Sequence, residues 1–248
     1  MEQVVRLIVV GLITGISSGL FGIGGALIGT PLLRVVAQLP PLLALATPLP
    51  VAIPSAISGA VAYWRRGLVD TVLAVQTLRV AVPMTLLGSV LTHWTSGAVL
   101  MAITALVLLY VAWSMLHSPT RESIQQRSPR RVALASAVAG FAAGFLAIGG
   151  GIVLVPVYVR WLGVPIHRAL ATSLVCVATM ALPGTIVHAA LGHIDWPAAA
   201  LLAIAALPAS ALGAQLALRI KSRTLERTYA ALLSAFGLWF LVRTLSGQ

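Results

Sequence analysis

Two glycine runs hold the chemistry that this apolar sequence can offer. Gly22-Ile23-Gly24-Gly25 and Ile148-Gly149-Gly150-Gly151 each interrupt a long hydrophobic stretch. Glycine weakens a helix and lets backbone N–H groups approach a ligand. Each run can therefore end one helix and aim the N-terminus of the next at an anion. In a membrane, such a break must be buried in protein or line a cavity, and paired Gly-interrupted segments in two halves of a chain point to a transporter's binding site. The candidate contacts are the backbones of Gly22, Gly24, Gly25, Gly149, Gly150 and Gly151. Glycines that merely allow close helix packing are the competing explanation.

Side chains add a cation and several hydroxyls. Arg79 is the charged residue deepest in a probable span, about 12 residues from either end of the stretch 68–92. A cation at the bilayer centre costs about 2.5–3.5 kcal/mol even on the gentlest scale, so it is a functional candidate by default. The five acids, Glu2, Asp70, Glu122, Asp195 and Glu226, fall at segment ends or in loops. An anionic ligand would supply the missing partner, and backbone carbonyls freed by the breaks are the alternative. Thr47 and Thr172 sit in matching ALATPL and ALATSL contexts, followed by Pro48 and Ser173. N-capping is the default role for such hydroxyls, and lining a substrate path is the second. Ser17, Ser18, Thr30, Ser55 and Ser58 add hydroxyls to the first half. Asp70 and Asp195 read as helix N-caps, Cys176 as a small buried hydrophobe, and the five histidines as interfacial residues without ligand spacing.

The elements that position these residues come in two copies. Gly15–Pro31 returns as Gly140–Pro156, and the same offset of 125 aligns Thr47 with Thr172, Gly67 with Gly192, Asp70 with Asp195 and Pro83 with Pro208. The 248 residues are 59% hydrophobic and 8% charged, with a mean hydropathy of +1.02, which places the chain in a membrane. A net charge of +11 sits between apolar runs rather than on one polar face, so lipid headgroups and the positive-inside rule explain it, not nucleic acid. The single cysteine excludes an intrachain disulfide.

Apolar stretches at roughly 4–37, 42–64, 68–92, 97–117, 132–158, 167–190, 196–218 and 228–245 allow two topologies. Eight crossings in two parallel repeats would divide the basic residues evenly between the two sides. If the first stretch of each half is instead a re-entrant hairpin, each half crosses three times and the second half is inverted. Then 12 of the 16 basic residues face the cytoplasm: Arg65, Arg66, Arg121, Arg127, Arg130, Arg131, Arg160, Arg168, Arg219, Lys221, Arg223 and Arg227. The sequence thus predicts an all-α integral membrane protein with inverted repeats at 1–117 and 132–248, a cytoplasmic linker at 118–131, and external termini. A full span followed by a short half-helix remains the alternative for each first stretch.

The glycine run, a proline a few residues on, and A-T-S-L about 20 residues later resemble the sulfite exporter TauE/SafE family of bacterial inner-membrane transporters. Ala147–Pro156 with Ala171-Thr172-Ser173-Leu174 is the fuller copy. The first copy has Ala26 where the family often has a third glycine, and Pro48 in place of serine. The resemblance covers about residues 5–245 and implies a secondary transporter for sulfite, thiosulfate or organosulfonates in the bacterial inner membrane. A proton-coupled transporter or channel for another small anion or metabolite is the alternative. No HExxH, GxSxG, P-loop or intramembrane carboxylate pair argues for an enzyme or an ATP-driven pump, no cofactor is implied, and a homo-oligomer is possible.

Overall fold

A computed structural model of the chain describes residues 2–117, 128–147 and 149–245. Arg121 and Arg127 of the expected linker, Ile148 of the second glycine run, and the terminal Met1 and Gln248 lie outside the described residues. The described residues form α-helices joined by short turns, with one 3-10 turn and no strand among them. α1 (Glu2–Phe21) and α2 (Ala26–Val36) flank the first glycine run. α3 (Pro41–Ala46) and α4 (Pro48–Trp64) make one interrupted rod, α5 (Thr71–Leu91) runs into a 3-10 turn at Thr92–Trp94, and α6 (Gly97–His117) ends the first half. α7 (Pro129–Phe145), α8 (Gly151–Arg160), α9 (Ile166–Ala190), α10 (Trp196–Ala217) and α11 (Ser222–Leu245) repeat that order.

The 125-residue offset holds in the backbone as well as in the sequence. φ is 73° at both Gly24 and Gly149, 83° and 77° at Gly25 and Gly150, and 66° and 71° at Gly67 and Gly192. Ala147, at φ 53°, stands where the first half has Gly22, and Gln38, at φ 52°, stands where the second has Gly163. One difference has a plain cause: Pro48 lacks an N–H and ends α3 at Ala46, whereas its counterpart Ser173 lets α9 run unbroken. The expected aspartate caps are present, with Asp70 Oδ1 accepting from the Leu73 N–H at 2.9 Å and Asp195 Oδ1 from the Ala198 N–H at 3.0 Å.

Among the described residues, six helical rods are long and apolar enough to cross a membrane: α1, α3–α4, α5, α6, α9 and α10. The chain is therefore built as a multi-pass membrane protein, but not all six rods are the expected ones. α1 has 20 residues and can cross by itself, so the first stretch is a long helix followed by a short one. α2 and α8, with 11 and 10 residues, rise about 15 Å each, half of a ~30 Å hydrocarbon core. α11 starts ahead of its apolar run with a polar turn that carries Arg223, Glu226 and Arg227.

Small residues set the packing. A methyl group at Gly15 would fall 2.4 Å from the Ala206 carbonyl oxygen, and one at Gly140 would fall 2.4 Å from that of Ala81. One turn on, Gly19 meets the Ser210 carbonyl and Gly144 that of Thr85 in the same way. α1 thus lies backbone to backbone along α10, and α7 along α5, as small residues permit in membranes. Residue numbers rise together in both pairs, so each pair is parallel. α4 follows α10 in the same sense, with Gly59 beside Ser210, and Arg65 and Arg66 sharing a groove with Arg219. The corresponding helices α4 and α9 run antiparallel, since Leu49 lies by Gly184 and Gly59 by Leu174. α6 and α11 are antiparallel too: Leu109 meets Gly237, while the Met115 carbonyl and Glu226 meet at Arg160.

These directions collect the basic turns at one end. His167 Nε2 is 3.1 Å from the Ala217 carbonyl, which brings the start of α9 to the end of α10. Arg160, partly buried, bonds the Met115 carbonyl and lies 3.4 Å from Glu226, which adds the ends of α6 and α8 and the start of α11. α2 touches α1, α3, α4 and α11, and α8 touches α6, α7 and α9, so both short helices are enclosed by longer ones.

Candidate functional site

The two glycine runs meet inside the protein. α1 ends at Phe21, the chain unwinds through Gly22–Gly25, and α2 begins at Ala26. In the second half α7 ends at Phe145 and α8 begins at Gly151. A methyl group at Gly151 would stand 2.4 Å from the Gly22 carbonyl oxygen and 2.6 Å from Ile23 Cα. The breaks therefore touch through bare backbone, and Gly22, Gly24, Gly25, Gly149, Gly150 and Gly151 are all buried.

Their N-caps, Gly25 and Gly150, are left-handed and supply no side-chain acceptor. The first turn of any helix leaves its N–H groups without intrahelical partners. The electropositive ends of α2 and α8 thus converge on one buried region. Longer helices hold this crossing from outside. Gly24 faces Val177 of α9 and Ala52 of α4, and the Ser173 hydroxyl donates to the Gly22 carbonyl at 2.8 Å. Tyr229 of α11 donates to the Ile152 carbonyl at 3.3 Å, with its ring edge-on to Phe21 at 5.8 Å. Behind the first break, Ser18 Oγ and Ser55 Oγ are 3.5 Å apart, and Thr14 Oγ1 and Ser210 Oγ are buried with no hydrogen-bond partner among the described residues.

The other sequence candidates go elsewhere. Thr47 and Thr172 are fully buried, yet neither hydroxyl caps its own helix. Thr47 Oγ1 accepts from the Asp195 N–H, and Thr172 Oγ1 from the Asp70 N–H, both at 3.0 Å. Each threonine is tied to the opposite half of the chain, at the turn whose aspartate caps the next helix. Arg79 does not approach the breaks. On α5 the buried face runs through Thr77, Ala81, Thr85 and Gly88, and at 100° per residue position 79 falls on the opposite side, where Val75, Arg79 and Leu86 are exposed. The expectation of a long distance to either membrane face also changes. Arg79 is eight residues from the start of α5, about 12 Å, and helical side chains lean toward the N-terminus, so its guanidinium can snorkel that way.

Sequence reading missed the buried tyrosines that fasten the breaks and their neighbours. Tyr63 donates to the Gly19 carbonyl at 3.0 Å, and the Tyr158 hydroxyl is 2.7 Å from Thr77 Oγ1 and 3.5 Å from Cys176 Sγ. A lone tyrosine inside an apolar run was the available signal, because its hydroxyl needs a partner when buried. Also missed was the approach of His188 Nδ1 to His193 Nδ1, at 3.2 Å. Arg65, Arg66 and Arg219 stand at one end of a groove of about 880 Å³ between α4 and α10, which is floored by Ile57, Val61 and Leu207.

Comparison with known proteins agrees with a membrane transporter. The profile of the family described as Sulfite exporter TauE/SafE matches residues 7–240. A probable membrane transporter protein of Xylella fastidiosa (strain 9a5c) is 27% identical over 242 residues, 94% of this chain and 92% of the relative. One from Methanocaldococcus jannaschii is 24% identical over 256 residues, covering 95% and 94%, and one from Bacillus subtilis is 24% identical over 252 residues, covering 94% and 98%.

Proposed function

The chain belongs to the sulfite exporter TauE/SafE family and is a membrane transporter rather than an enzyme; on that premise we propose that it carries small sulfur-containing anions across the bacterial inner membrane. The observation that carries this reading is the meeting of two half-helix N-termini, each capped by a left-handed glycine without a side chain. Backbone N–H groups at Gly24, Gly25, Gly149 and Gly150 and in the first turns of α2 and α8 donate to the anion's oxygens. Hydrogen bonds to a charged acceptor contribute about 1.5–3 kcal/mol each. Such donors suit the oxygens of sulfite, thiosulfate or a sulfonate without a fixed cationic side chain. Ser173 donates to the Gly22 carbonyl at the crossing, and Thr47 and Thr172 act as ties between the halves.

The halves at 1–117 and 132–248 are inverted repeats, with 118–131 as a cytoplasmic linker. The antiparallel runs of α4 against α9 and of α6 against α11 support this. α1 and α4 both run parallel to α10, as a chain that returns through α2 to the side it entered from requires; alternating single crossings would oppose α1 and α4. In this reading α2 and α8 are re-entrant, the basic end is cytoplasmic, and the termini are external. Transport follows when one half rocks against the other at the crossing, which is closed here and must part to admit cargo.

Flux of sulfite, thiosulfate and methanesulfonate into proteoliposomes tests the substrate class, with acetate and chloride as comparison anions. Saturable flux confined to the sulfur anions is the expected result. Equal or greater flux of the comparison anions would overturn the assignment.

A further inference from the structure

The duplication lets each position of the second half be compared with its counterpart in the first, and at one buried place the second half carries histidines where the first has none. Position 188 corresponds to Tyr63, 193 to Leu68, and His93 to Leu218. In the first half the Tyr63 hydroxyl donates to the Gly19 carbonyl at 3.0 Å. In the second, His188 takes the place of that tyrosine and Gly144 that of Gly19. His188 is 1% exposed, near the end of α9, and His193 lies partly exposed in the following turn. Their Nδ1 atoms are 3.2 Å apart, and the His193 N–H donates to the His188 carbonyl at 2.9 Å.

A 3.2 Å approach of two Nδ1 atoms requires one of them to carry a hydrogen and the other to be bare. His193 is the partly exposed ring, so the arrangement in which it takes up the outside proton has hydrogen on His188 Nε2 and a bare His188 Nδ1. His193 then donates its Nδ1–H, and its own Nε2 lone pair is free to take a proton from outside water. Proton uptake forms one N–H bond at His193 Nε2 and breaks none in the pair; the imidazolium keeps its Nδ1–H directed at His188, and release reverses the step.

The surroundings suit an intermittent positive charge. His188 Nε2, Ser89 Oγ and Thr185 Oγ1 are buried with no hydrogen-bond partner among the described residues. Ser89 lies against Gly184, one turn before His188, and Thr185 is on the same turn. The C-terminal end of α9 favours a cation. From the 3-10 turn after α5 comes His93; from α7, whose last turns are Gly140–Phe145, come only backbone groups and apolar side chains; from the start of α10 comes Asp195, whose carboxylate caps Ala198.

We propose that the His188–His193 pair is a proton-binding site at the non-basic end of the molecule, through which proton movement is coupled to transport. This rests on the transporter reading. Gly144 lies just before the second break, and Thr92, next to His93, donates to the Phe145 carbonyl at 2.9 Å. A charge arising there draws water to the junction of α5, α7 and α9 and loosens the turn that carries Gly149 and Gly150. Burial, and after it the neighbouring His93, pushes His193 below the ordinary histidine value of 6.5, so the site fills on the acidic side of neutrality.

The test uses the full chain labelled with ¹⁵N-histidine in liposomes, as wild type, His188→Tyr and His193→Gln. His188→Tyr restores the residue of the other half, whose phenol can hold the Gly144 carbonyl, and so keeps the fold while removing the linkage between the two rings. Imidazole resonances of His188 and His193 that titrate in linked steps, with the His193 midpoint shifted in His188→Tyr, are expected. Independent titration of the two rings would overturn the pair. In parallel, thiosulfate, whose charge is constant from about pH 5 to about pH 8, is followed with a lumenal pH dye across the range where histidine titrates. Expected is pH-dependent flux with lumenal pH change in wild type, and retained flux with neither property in both variants. Variants that keep the wild-type pH profile overturn the proposal. Absence of thiosulfate flux in wild type would count against the anion reading alone, and the resonance titration then still decides the pair.

Discussion

A single methyl group at position 151 probes the crossing on which transport depends. In Gly151→Ala the new Cβ would stand 2.4 Å from the Gly22 carbonyl oxygen and 2.6 Å from Ile23 Cα, against roughly 3.5–4.0 Å for unstrained carbon contacts. Both neighbours are backbone, so no rotamer change relieves the clash, and the breaks must separate by about 1 Å. Overpacking of this kind costs about 1–3 kcal/mol. If that energy falls on the closed crossing, the ratio of closed to parted molecules falls by about 5- to 150-fold, and thiosulfate flux in proteoliposomes, which needs both states in turn, drops with it. Gly67→Ala is the matched control. Gly67 has φ +66° and nothing within 4 Å of the added carbon, so it suffers left-handed strain of about 1–2 kcal/mol in a turn away from the crossing. Both variants should lose thermal stability in detergent to a similar degree, and only Gly151→Ala should lose flux. Wild-type flux and an unchanged unfolding midpoint in Gly151→Ala would refute the claim that the breaks are packed against each other.

Thr47→Val and Thr172→Val each strip the acceptor from a partly buried N–H of the opposite half, which costs about 1–3 kcal/mol; serine at either position should restore most of the unfolding midpoint, and a valine variant as stable as wild type would show that the ties carry no load. Arg79→Ala should transport at close to the wild-type rate, because the side chain is exposed on the far face of α5. Loss of flux in well-folded Arg79→Ala protein would return the guanidinium to the mechanism.

The helices and their breaks were readable from the sequence because each is a local property: apolar runs of spanning length, aspartate caps three residues before the N–H they bind, and glycine where φ is positive. α2 falls at Ala26–Val36 for that reason. Arg79 was misread because its depth was counted along the stretch, whereas exposure depends on direction around the helix. The spacing of Thr77, Ala81, Thr85 and Gly88 by three or four residues marked the inward side, and Arg79 is not on it. The threonine ties could not be seen, since Thr47 and Asp195 are 148 residues apart and no local pattern records such a pairing. Duplication adds a criterion that propensity lacks. Where the halves agree, as in Gly15 on Ala206 and Gly140 on Ala81, the shared residue satisfies a packing demand that both copies inherit. The halves also differ at many buried positions, and some of these differences lie beside the breaks or bond to the helices that end there: Ala26 against Gly151, Pro48 against Ser173, Tyr63 against His188. An anion path through two such halves need not be symmetric, and the side chains that make it directional belong among those differences rather than among the repeated glycines.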